Sequence, residues 1–392
     1  MMENPEKHID SAISILSDLV AFPVLGGHSN LSIAAYIMKV LEDNHIEYHK
    51  VVNTSGDKVA IHCRIGPSVD GGLILSGHMD VVPTKGQTWT RPDFKMTRDG
   101  EKLYGRGTTD MKGFLACCLA MLPYFKGSLL KKPIYLAFSY DEEVGCLAGP
   151  SLITAIKSTY SEQPHYAIVG EPSSMKMIIG GKGVAFFKTK IYCSPAHSSE
   201  VRKSVSAIEE ATYLIQWLLG RMDKFTEELC FDKRFEPPYT TIHIGTIKGG
   251  VAANIIADYC EFEWDVRNIP LDSIEKILDS FKSFCEQQMV KKQKVSNNFK
   301  ISTSAQFPIV PSLDTPENSE VVELVNSLNG NESTGTVSFA SEAGQFSEAG
   351  FHTVICGPGN MEQGHGVDEY METGELKKCL SFLGKLADWS KN

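Results

Sequence analysis

The sequence predicts an α/β protein built on a mainly parallel sheet and interrupted by an α+β module. Three observations carry that prediction. Four short apolar runs each lead into ionisable residues: Leu73-Ile-Leu-Ser-Gly-His78-Met-Asp80, Ile134-Tyr-Leu-Ala-Phe-Ser-Tyr140 before Asp141-Glu142-Glu143, Tyr166-Ala-Ile-Val-Gly170 before Glu171, and Thr353-Val-Ile-Cys356 through Gly357-Pro-Gly359 to His365. Helical patterns separate β-rich runs bounded by turn residues, the arrangement of buried parallel strands joined by crossovers. Finally, the order from residue 183 to 307 changes to β-α-β-β-α-β, the split βαβ module. The expected division is therefore residues 1–182 and 308–392 for one domain, with 183–307 inserted.

Taken in order, Ile9, Ile13, Leu16 and Val20 recur at helical spacing until Pro23 forbids continuation. Residues 31–41 repeat the amphipathic pattern, and short strands are expected at 47–52 and 58–64 ahead of the run ending at Asp80. The turn-rich segment from Val81 to Phe94 reads as a loop forming one wall of a site. Leu103 to Gly113 is glycine-rich around Asp110, and a helix is expected from about Met111 to Phe125. At the start of that helix Asp110 either caps it or offers a carboxylate to a site. In the module, strands are expected at 184–192, 240–247, 258–267 and 299–303 and helices at 204–219 and 271–290. The chain then returns through 308–316 to a helix at 317–328, a strand at 351–356 and a last helix at 374–389.

Composition narrows the function. The 392 residues are 42% hydrophobic and 22% charged, ordinary for a globular protein with room for a large core. A formal charge of −10 without clustered Lys and Arg speaks against nucleic acid. Ten cysteines lack C-x-x-C spacing, and Cys117-Cys118 sit in an apolar helical pattern as small core residues. The stretch from Met1 to Lys7 has no basic or hydrophobic signal segment, and no apolar run is long enough to span a bilayer, so a cytoplasmic home is expected. Neither a phosphate-binding G-x-x-x-x-G-K-[ST] loop nor a G-x-S-x-G elbow is present.

In open parallel sheets, ligands bind beyond the carboxyl ends of the strands, and there the four runs bring His78, Glu143, Glu171 and His365, to which the glycine-rich turn adds Asp110. Two imidazoles and three carboxylates are too many for one tetrahedral zinc with an open position and suit two metals sharing a bridging carboxylate, for which Asp110 is the choice. Glu142 and Glu143 are neighbours, but the turn at Gly145 allows one to bind metal while the other faces an attacking water as general base. Asp80 reads as the acid that accepts the free ring N–H of His78 and fixes its tautomer. Singly, each histidine is as readily a structural residue and Asp141-Glu-Glu a solvated loop; their convergence on one edge points to a site.

The motifs Gly77-His-Met-Asp-Val-Val-Pro83, Gly105-Arg-Gly-Thr-Thr-Asp-Met-Lys-Gly113, Asp141-Glu-Glu-Val-Gly145 and Gly170-Glu-Pro-Ser173 together resemble those of the dinuclear zinc M20 peptidase and deacylase family, over essentially the whole chain. Within it, Ser341-Glu-Ala-Gly344, Cys356-Gly-Pro-Gly359, His365 and Asp368-Glu-Tyr370 are most similar to the acetylornithine deacetylase branch, although Gly181 stands where that branch commonly has histidine. The resemblance implies two Zn2+ per subunit, with Co2+ a possible substitute. One would be held by His78, Asp110 and Glu171 and the other by Asp110, Glu143 and His365, with Glu142 as base and Asp80 as orienting acid. It also implies that the inserted module is a lid and homodimer interface. There, Ser194-Pro-Ala-His197 would supply His197 to the partner's oxyanion, and Asn254 and Arg267 would grip a substrate carboxylate. The expected substrate is an N-acyl-L-amino acid, N-acetylornithine first. An acetylcitrulline deacetylase, a succinyl-diaminopimelate desuccinylase, a small peptidase and a non-catalytic metal-dependent binding protein are the alternatives.

Overall fold

The computed structural model describes residues 5–201, 203–227, 231–330 and 333–392; Met1 to Asn4, part of the stretch read for a targeting signal, and Cys230 lie outside them. The chain divides into two units, one of Met1–Gly180, Leu313–Thr336 and Ser341–Asn392, the other of Gly181–Ser312 and Val337–Ala340. Beyond the expected division, the second unit takes in Gly181, Lys182, residues 308–312 and the separate stretch Val337–Ala340; Val184 and Val310 exchange both backbone hydrogen bonds at 2.9 Å. That exchange ties residues 308–312 to the inserted unit.

The first unit is built on a mixed sheet ordered Tyr48–Val52, Val59–Ile65, Ile134–Ser139, Leu73–His78, Tyr166–Pro172, His352–Gly357, Met177–Gly181 and Leu313–Asp314. The four central strands are parallel and are the four runs that lead to ionisable residues. Their burial follows from their composition: every residue of Leu73–His78 and Ile134–Ser139 is buried, as required of strands covered on both faces. The antiparallel pairings lie towards the edges. Helices Ile9–Val20, Leu31–Asp43, Gly113–Ala120, Glu320–Asn329 and Thr373–Trp389 contribute to one continuous core with the sheet, in which Leu16, Ile37, Phe114, Phe138, Val325 and Leu383 are buried.

Two expectations are corrected here. The helix from Met111 to Phe125 is two helices, Gly113–Ala120 and Leu122–Gly127, preceded by an irregular turn, and Asp110 does not cap them; its φ of −118° and ψ of 98° are extended. Helices Gly149–Thr159 and Glu342–Glu348 were not foreseen. The first starts on Gly-Pro, which reads equally as a turn, and the second is too short for periodicity to register.

The second unit holds a sheet ordered Thr241–Gly249, Tyr259–Asn268, Gly183–Tyr192 and Lys300–Ala305, with helices Ala207–Phe225 and Ile274–Lys292. Burial alternates strictly along Tyr259–Asn268. Cys260, Phe262, Trp264 and Val266 join the helices in a core of their own, and the intervening residues lie on the opposite, more open face. Trp264 satisfies its buried indole N–H by donating to Thr189 Oγ1 at 3.0 Å.

Glycine permits the closest approaches near the ends of the parallel strands. A Cβ on Gly357 would lie 2.0 Å from the carbonyl oxygen of Gly170, and one on Gly170 would lie 2.1 Å from the Phe114 ring. Gly220, inside helix Ala207–Phe225, faces open space. Gly357→Ala is therefore expected to destabilise the first unit by ~3 kcal/mol or more, since backbone rather than a mobile side chain must yield. Gly220→Ala should add roughly 0.5–1 kcal/mol by removing helix-interior glycine entropy. Urea unfolding of the two variants checks both signs.

Candidate metal centre

The parallel strands place the acidic and imidazole groups together. His78 is the last residue of Leu73–His78, a strand flanked by Ile134–Ser139 and Tyr166–Pro172, and it pairs with Ser139 just beyond the last pairing to the other neighbour, Ser76 with Val169. Its Nδ1 lies 2.9 Å from the backbone carbonyl of Asp80. A carbonyl can only accept, so Nδ1 carries a proton and donates it there, and Nε2 is the nitrogen that faces the cleft. This corrects the role expected of Asp80. The carboxylate of Asp80 is 3.7 Å from His78 Nδ1, and it accepts instead from the backbone N–H groups of Glu142 and Glu143, each at 3.2 Å. Asp80 thus orients His78 through its main chain and shapes the Glu142-Glu143 turn through its side chain.

Asp110 sits between the two imidazoles. Its Oδ1 is 3.1 Å from His78 Nε2, and its Oδ2 is 3.1 Å from His365 Nε2. Around this pair, Glu171 Oε1 lies 3.9 Å from His78 Nε2 and Glu143 Oε2 lies 3.2 Å from His365 Nε2. By these distances His78 neighbours Asp110 and Glu171, and His365 neighbours Asp110 and Glu143, while the trios whose ligand atoms all lie within 4.8 Å of one another are His78, Glu142 and Glu171, and His78, Asp110 and Glu143. Glu142 also brings an oxygen to within 4.8 Å of ligand atoms of His78 and Glu171, and its Oε1 accepts from the Cys146 thiol at 3.3 Å. Asp141 stands apart, tying the loop down by accepting from the backbone of Gly27 at 2.8 Å and from Lys58 Nζ.

Electrostatics describe a pocket built for cations. Burial raises the carboxyl of Glu171, with the neighbouring Asp110 adding to it, to about 8. Burial likewise lifts Glu142 and Glu143 above the ordinary range. His365, hydrogen-bonded to Asp110 and Glu143, is raised to about 10. Burial alone would depress His78, but Asp110 and the carboxylates of Glu171 and Glu142 outweigh it and raise it. Asp110, against its own burial, is held low by His365 and His78. Glu143 Oε1 and Glu171 Oε1 are buried without a hydrogen-bond partner among the described residues. Buried, unmatched carboxylate oxygens beside two imidazoles fit a pair of divalent metal ions as the missing partner.

A supporting layer escaped the sequence reading. Glu369 is fully buried, accepts from Arg106 Nη1 at 2.6 Å and receives the backbone N–H groups of Thr109 and Asp110 at 2.9 and 3.1 Å. It fixes the turn from which Asp110 projects. Glu342 is also buried, with its carboxyl pushed up to about 7 by burial. The motif quoted around Asp368-Glu-Tyr370 was the available signal for Glu369; its pairing with Arg106, 263 positions away, was not legible.

The residues expected to touch substrate lie in the second unit. His197 pairs with Ile255 in a two-residue ladder, is exposed, and its Nδ1 is 2.8 Å from Ser199 Oγ. The Asn254 carbonyl accepts from Ser198 N–H at 3.1 Å, which brings the two segments together. Arg267, on the open face of Tyr259–Asn268, has its Nε 3.7 Å from Asp265 Oδ1, while Asp265 Oδ2 is 3.2 Å from His243.

Comparison with known proteins places this geometry. Residues 74–389 match the model of peptidase family M20/M25/M40. The acetylornithine deacetylase of Klebsiella pneumoniae (strain 342) is 34% identical over 319 residues, covering 81% of this chain and 79% of that protein. Among solved structures, a Staphylococcus aureus tripeptidase superposes with a TM-score of 0.74 at 19% identity, over 100% of both chains. A Bacillus subtilis M20 peptidase described as binding a dinuclear metal superposes with a TM-score of 0.64 at 15% identity, over 98% of this chain and 99% of its own. At these identities the two structures speak for the fold alone. The family match and the Klebsiella relative decide the rest: the chain belongs to peptidase family M20/M25/M40, as a hydrolase.

Proposed function

We propose that this hydrolase is a two-metal deacylase of N-acyl-L-amino acids that converts N-acetylornithine to ornithine and acetate, a step that would serve arginine biosynthesis in the cytoplasm. The observation that carries the two-metal chemistry is Asp110, whose two oxygens each lie 3.1 Å from a different imidazole. The choice of substrate rests on the 34% identity to an acetylornithine deacetylase. Zn2+ is the proposed metal and Co2+ a substitute, since imidazole and carboxylate donors accept both.

His78, Asp110 and Glu171 would hold one ion, and Asp110, Glu143 and His365 the other. When bound, the ions supply Lewis acidity that polarises the scissile carbonyl and acidifies water at the site. Glu142 is assigned the proton. Its backbone is held by Asp80, and its carboxylate lies within 4.8 Å of ligand atoms of His78 and Glu171. It would take a proton from the attacking water and return it to the leaving amine. His197 is proposed to donate to the developing oxyanion in a partner's site of a homodimer. Asn254 and Arg267 are proposed to bind the substrate carboxylate, for which a guanidinium offers a planar fork.

Glu142→Ala should keep its full metal content by elemental analysis while turnover falls ~100-fold or more, as expected on losing a general base; near wild-type turnover would remove Glu142 from the role. Chelation should release two ions per chain and abolish turnover, with Zn2+ or Co2+ restoring it; release of a single ion would contradict the shared Asp110. Ornithine release from N-acetylornithine, run beside acetylcitrulline and succinyl-diaminopimelate, is expected to be the fastest reaction, and preference for either competitor would reassign the substrate.

A further inference from the structure

The two metal positions do not hold their histidines in the same way. His78 ends a strand paired on both sides, and its side chain is 1% exposed. His365 sits at φ 59° between Gly364 and Gly366, outside any strand, with its side chain 51% exposed. Glycines on both sides leave that backbone little intrinsic preference, so His365 depends on whatever grips its loop.

The grip comes from the turn-rich segment after Asp80. Gln87 Nε2 donates to the His365 carbonyl at 2.8 Å, and Arg106 Nη2 reaches the same oxygen at 3.3 Å. The Gln87 amide can face only one way: its Oε1 accepts from Arg106 Nη2 at 2.7 Å and from Trp89 Nε1 at 3.0 Å, which leaves its NH2 for His365. Three residues on, Thr90 holds the far end of the loop, donating from N to Asp368 Oδ1 at 3.0 Å and from Oγ1 to Asp368 Oδ2 at 2.6 Å. Arg106 is in turn anchored by Glu369, which also receives the N–H of Asp110. Arg106 therefore acts on both metal positions through Asp110, whereas Gln87 and Thr90 act on the His365 loop.

We propose that Gln87 and Thr90 form a clamp that sets the affinity of the Glu143/His365 metal position separately from that of the His78/Glu171 position. Both are positioning residues, and the proposal rests on the assignment of His365 as a ligand. Groups that orient a ligand from behind typically contribute 10–100-fold to metal affinity.

The test is a calorimetric titration of the metal-free full-length protein with Co2+, read in parallel by visible absorption. Gln87→Glu, which keeps the acceptor for Arg106 and Trp89 but loses the donor to His365, should weaken one binding event about tenfold and leave the other unchanged, and Gln87→Ala, which also releases Arg106, should weaken that event more than the other. Thr90→Val, which removes the hydroxyl bond to Asp368 without touching Arg106, should weaken the same event. The metal-free unfolding midpoint of Thr90→Val should match that of the parent, separating loss of the clamp from loss of the fold. Equal weakening of both events, or two unchanged events in all three variants, overturns the clamp. His365→Ala separates the two readings: it should abolish one event, and retention of both would refute His365 as a ligand rather than the clamp.

Discussion

The first unit depends on placing several like charges in one buried space. Asp80, Asp110, Glu142, Glu143 and Glu171 converge where four parallel strands end, and burial alone would drive most of their carboxyls to the neutral form. Protons, hydrogen-bond donors or cations relieve such a cluster. Within the chain His78 and His365 supply part of the compensating charge, and buried oxygens of Glu143 and Glu171 have no hydrogen-bond partner among the described residues. The fold makes this arrangement possible by putting the ends of buried strands, rather than mobile loops, behind His78 and Glu171.

The same constraint explains the glycines and the buried ion pair. Strand ends can bring Glu171 and the Gly357 turn together only if no side chain stands between Gly170 and Gly357. The turn that carries Asp110 is irregular, and its backbone N–H groups find a partner in Glu369 rather than in a helix. Glu369 can remain buried because Arg106 matches its charge. A buried pair of this kind is weak evidence for stability but strong for geometry, since removing either partner leaves an uncompensated charge under the Asp110 turn.

The second unit follows simpler rules. Its strands alternate between a core face and an open face, and its helices carry their N-caps on Ser206 and Ser273, each of which accepts from a backbone N–H of the first turn. Of the residues proposed to meet substrate, Arg267 comes from its open face, and His197 and Asn254 come from the short ladder and the residue before it; none of the three is buried.

Period and turn residues were enough, from the sequence alone, to specify the four parallel strands and the inserted β-α-β-β-α-β module, because each of these is a local pattern, and strand-end chemistry named five candidate ligands. The sequence also placed Asp80 beside His78, but it could not say which atoms would meet. Only the tertiary structure decided that the Asp80 carbonyl faces the ring while its carboxylate turns to the backbone of Glu142 and Glu143. It alone moved Asp110 from a helix start to an irregular turn, joined Arg106 to Glu369, and brought Gln87 onto the His365 carbonyl 278 positions away. Those contacts join residues remote in the chain through hydrogen bonds whose partners are chosen by where packed strands end, and no periodicity in a sequence carries that information.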